Sequence, residues 1–304
     1  LRVENLLLAF ALSSCVGGCD GCSKHEASSS DTALAASAAK ADAAPVNVTP
    51  IPTASVAAMV NPQNLPAYTG TTGSVEGTIT VVGDPAPERR ADFTRCPDAA
   101  TVYGRTFREG PPQGPNGPRP LADAIVAVTG YAGFYLPEKN GSKEVAIAGC
   151  AFGQRTVTMT FGQRLEVKNL SKDLWTPVLQ PGPNLVMMMA TPNGDPVRLY
   201  PKKPGRYVLG DRERRYAEAD LFVFLHPLHT SSNLEGKYRI DGVPVGKVKV
   251  NTTHPQIDGA EASVEVDVKE GVVHRVDLQI VHKLPPPKDA GPPANEPRVI
   301  PGLH

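Results

Sequence analysis

Between residues 73 and 283 the chain is a succession of short runs in which apolar and polar side chains alternate. Val75-Glu76-Gly77-Thr78-Ile79-Thr80-Val81 has a period of two, as do Ala124–Val128, Thr156–Thr160 and Leu165–Lys168. Further runs follow at Leu221–Leu225, Lys237–Ile240, Lys247–Val250, Val264–Val268 and Val276–Ile280, with Gly, Pro, Asn and Asp between them. In an extended chain successive side chains point to opposite faces, so each run predicts a strand with one face toward a core. Many short strands at this spacing predict an all-β protein built of antiparallel β-sandwiches. Charged residues at alternate positions predict one wet face per sheet. Asp211–Ala219 lacks the alternation; charged nearly all round, it reads as a turn or one short helix.

The two ends follow other rules. Arg2 precedes a short apolar run, Leu6–Leu12, and then Leu12-Ser13-Ser14-Cys15. Small residues before a Cys resemble the bacterial lipobox, in which the Cys becomes the lipidated first residue of the mature chain. The resemblance implies a signal peptide over 1–14, lipidation at Cys15, and export to the cell envelope, with the lipid anchor as the membrane contact. Cys19 is a second candidate for that role. Cys19 and Cys22 form a C-x-x-C pair, but Ser23 and Lys24 separate it from His25, so it does not read as a haem attachment site. With too few ligands for a zinc knuckle, the pair reads as part of a tether. Residues 15–72 are rich in Ala, Ser, Thr and Pro and offer little apolar surface to offset the entropy of ordering, so they predict a disordered spacer. The Pro-rich segment 284–304 predicts a second disordered stretch.

Composition sharpens this picture. The 304 residues include 31 Pro and 28 Gly, well above the usual ~12 % combined share, which leaves little room for long helices. Lys plus Arg equals Asp plus Glu at 31 each, which argues against a nucleic-acid binder working through phosphate neutralisation. No Gly-x-Ser-x-Gly elbow, His-Glu-x-x-His motif, phosphate loop or dinucleotide fingerprint occurs, so the chain reads as non-catalytic. Two cysteines fall within the strand-rich region, Cys96 and Cys150. In an oxidising compartment they are expected to form a disulfide, the alternative being two buried thiols.

Gly236-Lys237-Tyr238-Arg239-Ile240-Asp241-Gly242-Val243-Pro244-Val245-Gly246-Lys247-Val248-Lys249-Val250 resembles the carboxypeptidase regulatory-like repeat, a module of the carbohydrate-binding-like and prealbumin-like sandwiches. Upstream, Gly73–Ile79, Leu121–Val128, Gly149-Cys150-Ala151-Phe152 and Phe161–Asn169 resemble a cupredoxin-like domain found fused to that module in exported bacterial proteins. The resemblances imply a cupredoxin-like sandwich over 73–230 and a regulatory-like sandwich over 231–283. An alternative makes Val75–Val81 the first strand of the second sandwich and the cupredoxin-like part an insertion; pairing of Val75–Val81 with Val264–Ile280 would reveal it.

The cupredoxin resemblance also implies where copper ligands belong. A blue-copper site needs two imidazoles, a thiolate and usually a thioether. Relatives place a His shortly after the Asn-ending strand, where this chain has Trp175, and carry Cys-x-x-His-Pro-x-Met on the closing loop. Val223-Phe224-Leu225-His226-Pro227-Leu228-His229 is the expected counterpart, with Val223 in the thiolate place and His229 in the axial one. His226 and His229 are then either remnants or, with Met187–Met189, a re-made copper site. The expected function is a non-catalytic envelope binding or scaffold module with a protein or glycan ligand and no cofactor. The alternative is a copper-handling or electron-transfer protein.

Overall fold

The computed structural model describes residues 48–182 and 187–284. The signal segment, Cys15, Cys19, Cys22 and the tail beyond Leu284 lie outside the described residues. In chain order the elements are α1 (Thr53–Val60), β1 (Thr72–Gly83), α2 (Ala99–Tyr103), β2 (Arg119–Pro120), β3 (Ile125–Thr129), β4 (Ser142–Ala148), β5 (Ala151–Phe152), β6 (Thr156–Thr160) and β7 (Arg164–Asn169). There follow β8 (Pro177–Gln180), β9 (Val197–Leu199), β10 (Gly205–Asp211), β11 (Glu218–Phe224), β12 (His229–Ser231), β13 (Lys237–Pro244), β14 (Gly246–Thr253), β15 (Glu261–Val268), β16 (Val273–Arg275) and β17 (Leu278–His282). The all-β reading holds, and no helix among the described residues is long and apolar enough to cross a membrane.

Strand pairing sorts the strands into two nested sandwiches. In the parent sandwich, β1 runs antiparallel to β13 and then β2 along one edge, and parallel to β16 and then β17 along the other. The facing sheet has the order β12-β3-β14-β15. Val75, Ile79, Val126, Val128, Ile240, Val250 and Ile280 meet in its core. The inserted sandwich comprises the sheets β6-β11-β10-β8 and β5-β4-β7-β9, which enclose Ile147, Phe152, Met159, Leu165, Trp175, Leu209 and Leu221. The chain therefore leaves the parent sandwich after β3 and returns at β12. This corrects the linear division at 230/231. Ile79 lies opposite Leu278 and Val81 opposite Ile280, so the first strand belongs with the last ones.

Gly77 permits this arrangement. At that point the parallel edge of β1 passes from β16 to β17, and a Cβ on Gly77 would lie 1.9 Å from the Val276 carbonyl oxygen. Val276 N–H donates to Glu76 O at 2.8 Å, which holds the two backbones at that closeness.

Three further expectations need correction. Residues 48–71, read as tether, carry α1, and Val48, Ile51, Val56 and Val60 pack on the inserted core; four apolar anchors outweigh the local Ala/Ser/Pro bias. The sheets are mixed rather than purely antiparallel, since β4–β7 and β6–β11 are parallel. All five residues of β6 are buried, so this strand has no wet face. Of the two readings of Asp211–Ala219, a turn or one short helix, the turn holds. The Asp211 carboxylate accepts the N–H groups of Glu213 and Arg214 at 3.1 and 2.8 Å, and this side-chain turn competes with helical hydrogen bonding.

Cys96 and Cys150 are joined in a disulfide with a Cα–Cα distance of 6.1 Å, tying the segment before α2 to the β4–β5 turn. It spans 54 residues, a closure that contributes about 4 kcal/mol in the chain-entropy account.

The junction of the sandwiches centres on Asp123, which stands just before β3 with φ 64° and is 4 % exposed. Arg108 donates to both of its carboxylate oxygens at 2.7 Å, and the backbone N–H of Arg155, at the start of β6, donates to Oδ1 at 3.1 Å. The Arg155 guanidinium in turn donates to Arg105 O at 2.8 Å and Thr106 O at 2.9 Å. Asp123→Asn keeps the shape and the tolerance of positive φ but leaves Arg108 without a counter-charge. It should lower unfolding stability by about 3 kcal/mol, whereas Asp267→Asn, in an exposed and solvent-screened pair with Lys269, should cost far less. Urea midpoints of the two variants would check this, and equal shifts would refute the role given to Asp123.

Candidate functional site

Two places on the inserted sandwich bear on function, and they lie at opposite ends of it. In β10, Gly205 is opposite Val223 of β11, while Asp211 is opposite Pro177 of β8. Six positions of strand separate them, ~20 Å at the usual rise. Trp175 sits beside Pro177, whereas His226 and His229 follow β11 at its far end. The structure thus does not bring Trp175 together with Val223, His226 and His229. Val223 is a buried core residue of β11. The sequence reading followed the His226-Pro227 pair, and only strand register reveals that this loop closes the wrong end.

At the far end, His229 opens β12 and its ring stacks on Phe224, centroids 4.6 Å apart. Thr160 Oγ1 donates to Glu138 Oε2 at 2.6 Å and lies 3.1 Å from His229 Nε2. With the Thr160 proton committed to Glu138, His229 Nε2 carries the proton in the neutral ring, and its Nδ1 is the bare nitrogen. That Nδ1 is buried without a partner, as is His226 Nδ1, and the two rings are 6.3 Å apart. Burial holds the His226 imidazole below its ordinary pKa. Burial, with lesser contributions from His226 and Lys143, pulls His229 down to about 3. Both are neutral at pH 7, the form that ligates metals. Among the described residues no group of three His, Cys, Asp or Glu is placed to hold a metal ion. The Met187–Met189 run is not at this end. Met187 and Met189 are exposed, Met188 packs on the inserted core, and the adjoining Ala190 is bridged to Trp175.

At the near end, Trp175 is fully buried. Its indole N–H donates to Ser171 Oγ at 3.0 Å, and Phe152 meets it edge-on. Asn169 organises the loop: its amide donates to Asp173 O and Ala190 O, and its Oδ1 accepts Ser171 N–H and hydroxyl. The loop that faces the indole is the β10–β11 turn. Arg214 lays its guanidinium over the ring at 4.4 Å from the centroid, donates to Leu174 O at 3.1 Å, and pairs with Asp173 at 3.4 Å and Asp211 at 3.5 Å. Buried Asp211 accepts Thr176 N–H at 2.6 Å.

These residues do not fit copper. A guanidinium fills the space over Trp175, Asp211 and Asp173 are paired with it, and Cys96 and Cys150 are consumed in their own bond. Sequence reasoning passed over what surrounds Arg214. Arg89, Arg90 and Arg95 from the segment before α2 line the same groove as Arg214 and Arg215. The doublet Arg89-Arg90 and the run Arg212–Arg215 were the available signals, and their convergence depends on the tertiary fold.

No protein-family model matches the chain, and no curated protein matches it. Among solved structures it is similar to amicyanin, a cupredoxin. A reduced amicyanin variant is 15 % identical, covering 27 % of this chain and 82 % of that one, with a TM-score of 0.25. A second reduced variant is 13 % identical over 28 % and 85 %, with a TM-score of 0.26. Amicyanin from Paracoccus versutus (Thiobacillus versutus) is 13 % identical over 29 % and 84 %, with a TM-score of 0.24.

The buried imidazoles carry a pH dependence. His254, whose Nε2 lies 3.2 Å from Ala122 O, is held down to about 4, chiefly by burial. An unfolded histidine takes up its proton near pH ~6.5, and these folded ones do so only near their depressed values. The unfolded state therefore binds more protons below that point, and stability present above pH ~6.5 is lost as pH falls. Between pH 7 and 5, before most carboxylates titrate, unfolding stability should fall by roughly 1 kcal/mol per pH unit for each such histidine. His229→Gln should shallow the slope. A urea midpoint that stays constant from pH 7 to 5 would refute the assignment.

Proposed function

We propose that this chain is a non-catalytic binding module of the bacterial cell envelope, exported and anchored by lipid at Cys15, and that its inserted sandwich is a cupredoxin-like shell reused without a copper centre. The observation that carries this reading is Arg214 over Trp175, locked by Asp211 and Asp173. A fixed cation at the place where the resemblance expects a metal ligand repels a second cation. The regulatory-like motif over 236–250 supports the same reading, since it forms β13 and β14 of the parent sandwich, a scaffold that spaces and presents surfaces. Protein and glycan ligands are the two partner classes that go with it.

A second reading, copper handling, has one specific observation in its favour: the unpartnered, neutral Nδ1 atoms of His226 and His229. A pair of imidazoles suits Cu(I), a soft d10 ion that accepts low coordination.

The deciding experiment combines copper titration with fractionation of the full chain. The expected result is no blue absorption band with Cu(II), no stoichiometric Cu(I) uptake, and saturable co-sedimentation with isolated cell-envelope material. Stoichiometric Cu(I) binding that His226→Ala and His229→Ala abolish would overturn the binding-module reading in favour of copper handling. A chain that stays out of the membrane fraction with Cys15 intact would overturn the anchor.

A further inference from the structure

The groove above Arg214 collects cations from two distant stretches of sequence. Arg89, Arg90 and Arg95 come from the segment before α2, and Arg214 and Arg215 from the β10–β11 turn. Together they line a concave surface enclosing about 890 Å³. Three carboxylates share the lining: Asp92, Asp173 and Glu213. Only Asp173 is ion-paired; Asp92 and Glu213 keep their charges and leave Arg90, Arg95 and Arg215 in excess by one. Asp173 pairs with Arg214, and Asp92 accepts the backbone N–H and hydroxyl of Thr94, at 2.9 and 2.5 Å. Arg89 is held at 2.8 Å by Glu218, and Arg214 by Asp211 and the indole, so these two form a fixed floor. Arg90, Arg95 and Arg215 stand exposed at the rim. The disulfide of Cys96, itself part of the lining, pins the segment that supplies three of the arginines.

Every cation of the groove is arginine. A guanidinium presents a planar fork of donors matched to carboxylate or other oxyanion geometry, which an ammonium lacks. The groove has one exposed large apolar side chain, Leu174, and one half-buried aromatic, Tyr216. Protein partners bind through clusters of apolar and aromatic anchors seated in desolvated pockets, and this lining offers only these two. A flexible chain bearing regularly spaced carboxylates needs only the forks.

We infer that this groove binds an acidic polysaccharide, with uronate carboxylates on Arg90, Arg95 and Arg215 and the fixed pair Arg89 and Arg214 beneath. The inference rests on the binding-module reading above and names its ligand class.

The test measures binding of the full chain to four probes: polygalacturonate, neutral dextran, poly-L-glutamate, and phosphatidylglycerol vesicles. Polygalacturonate should bind, with an affinity that falls as salt rises, and dextran should not. The triple variant Arg90→Glu, Arg95→Glu, Arg215→Glu should lose ~tenfold or more in affinity. The control Lys247→Glu, Lys249→Glu, Arg275→Glu, on the parent sandwich, should lose little. The triple Arg→Lys variant, which keeps charge and removes the fork, should fall between. All six sites are exposed, and an unchanged thermal midpoint confirms folding. Equal loss in the control, tighter binding of poly-L-glutamate or of the vesicles, or no binding of polygalacturonate would each overturn the inference. Envelope co-sedimentation without binding of polygalacturonate would leave the binding-module reading standing while the groove loses its assignment.

Discussion

The buried carboxylate of Asp123 is the constraint on which the rest of this molecule depends. It faces Arg108 with both oxygens and receives the backbone of Arg155, so one residue of the parent sandwich sets where the inserted sandwich begins. Its own backbone is fixed by Ser232, whose carbonyl accepts Asp123 N–H at 3.0 Å and whose hydroxyl bridges Ala124 N and Leu121 O. Ser232 directly follows β12, where the chain has just returned from the insertion. The exit and the return are thus stitched at one point. Charged groups this deep are tolerated only when paired and hydrogen-bonded, and here every partner is supplied by a different stretch of chain.

Nesting has a functional consequence. Each sandwich closes its own apolar core, and one end of the inserted one abuts β12 of the parent. One end carries two dehydrated imidazoles beside β12. The other joins a buried indole, two carboxylates and a guanidinium. This cluster is self-consistent. Arg214 is held by the aromatic face, two carboxylates and a carbonyl, so its charge is satisfied without a metal, and it becomes the floor of a groove with further arginines above.

Legibility in sequence differed between features for physical reasons. Trp175 was singled out because it follows a strand ending in Asn169, a local signal. The His226-Pro227-Leu228-His229 tetrapeptide was a strong but misleading match, because short motifs carry no information about which end of a strand they follow. Asp211 and Arg214, without imidazole or sulfur, gave no chemical cue. The contribution of Arg89, Arg90 and Arg95 was hidden in a proline-rich segment whose path depends on α2 and the Cys96–Cys150 bond.

What the sequence by itself determined is side-chain parity. Alternation in runs such as Val75–Val81 and Val264–Val268 is a property of neighbours, and it dictated an all-β protein with Gly- and Pro-marked turns before any contact was known. For Cys96 and Cys150 the sequence left a disulfide or two buried thiols open, and the structure joins them. Partner choice was decided by the tertiary structure alone. Thr78 N–H donates to Asp277 Oδ1 across 199 residues, and nothing in either run specifies the other. The same holds for the buried outer face of β6, for the order gained by residues 48–71 against the inserted core, and for the arginines gathered over Trp175. Each results from surfaces brought together by register and burial over long separations, and local pattern carries no record of them.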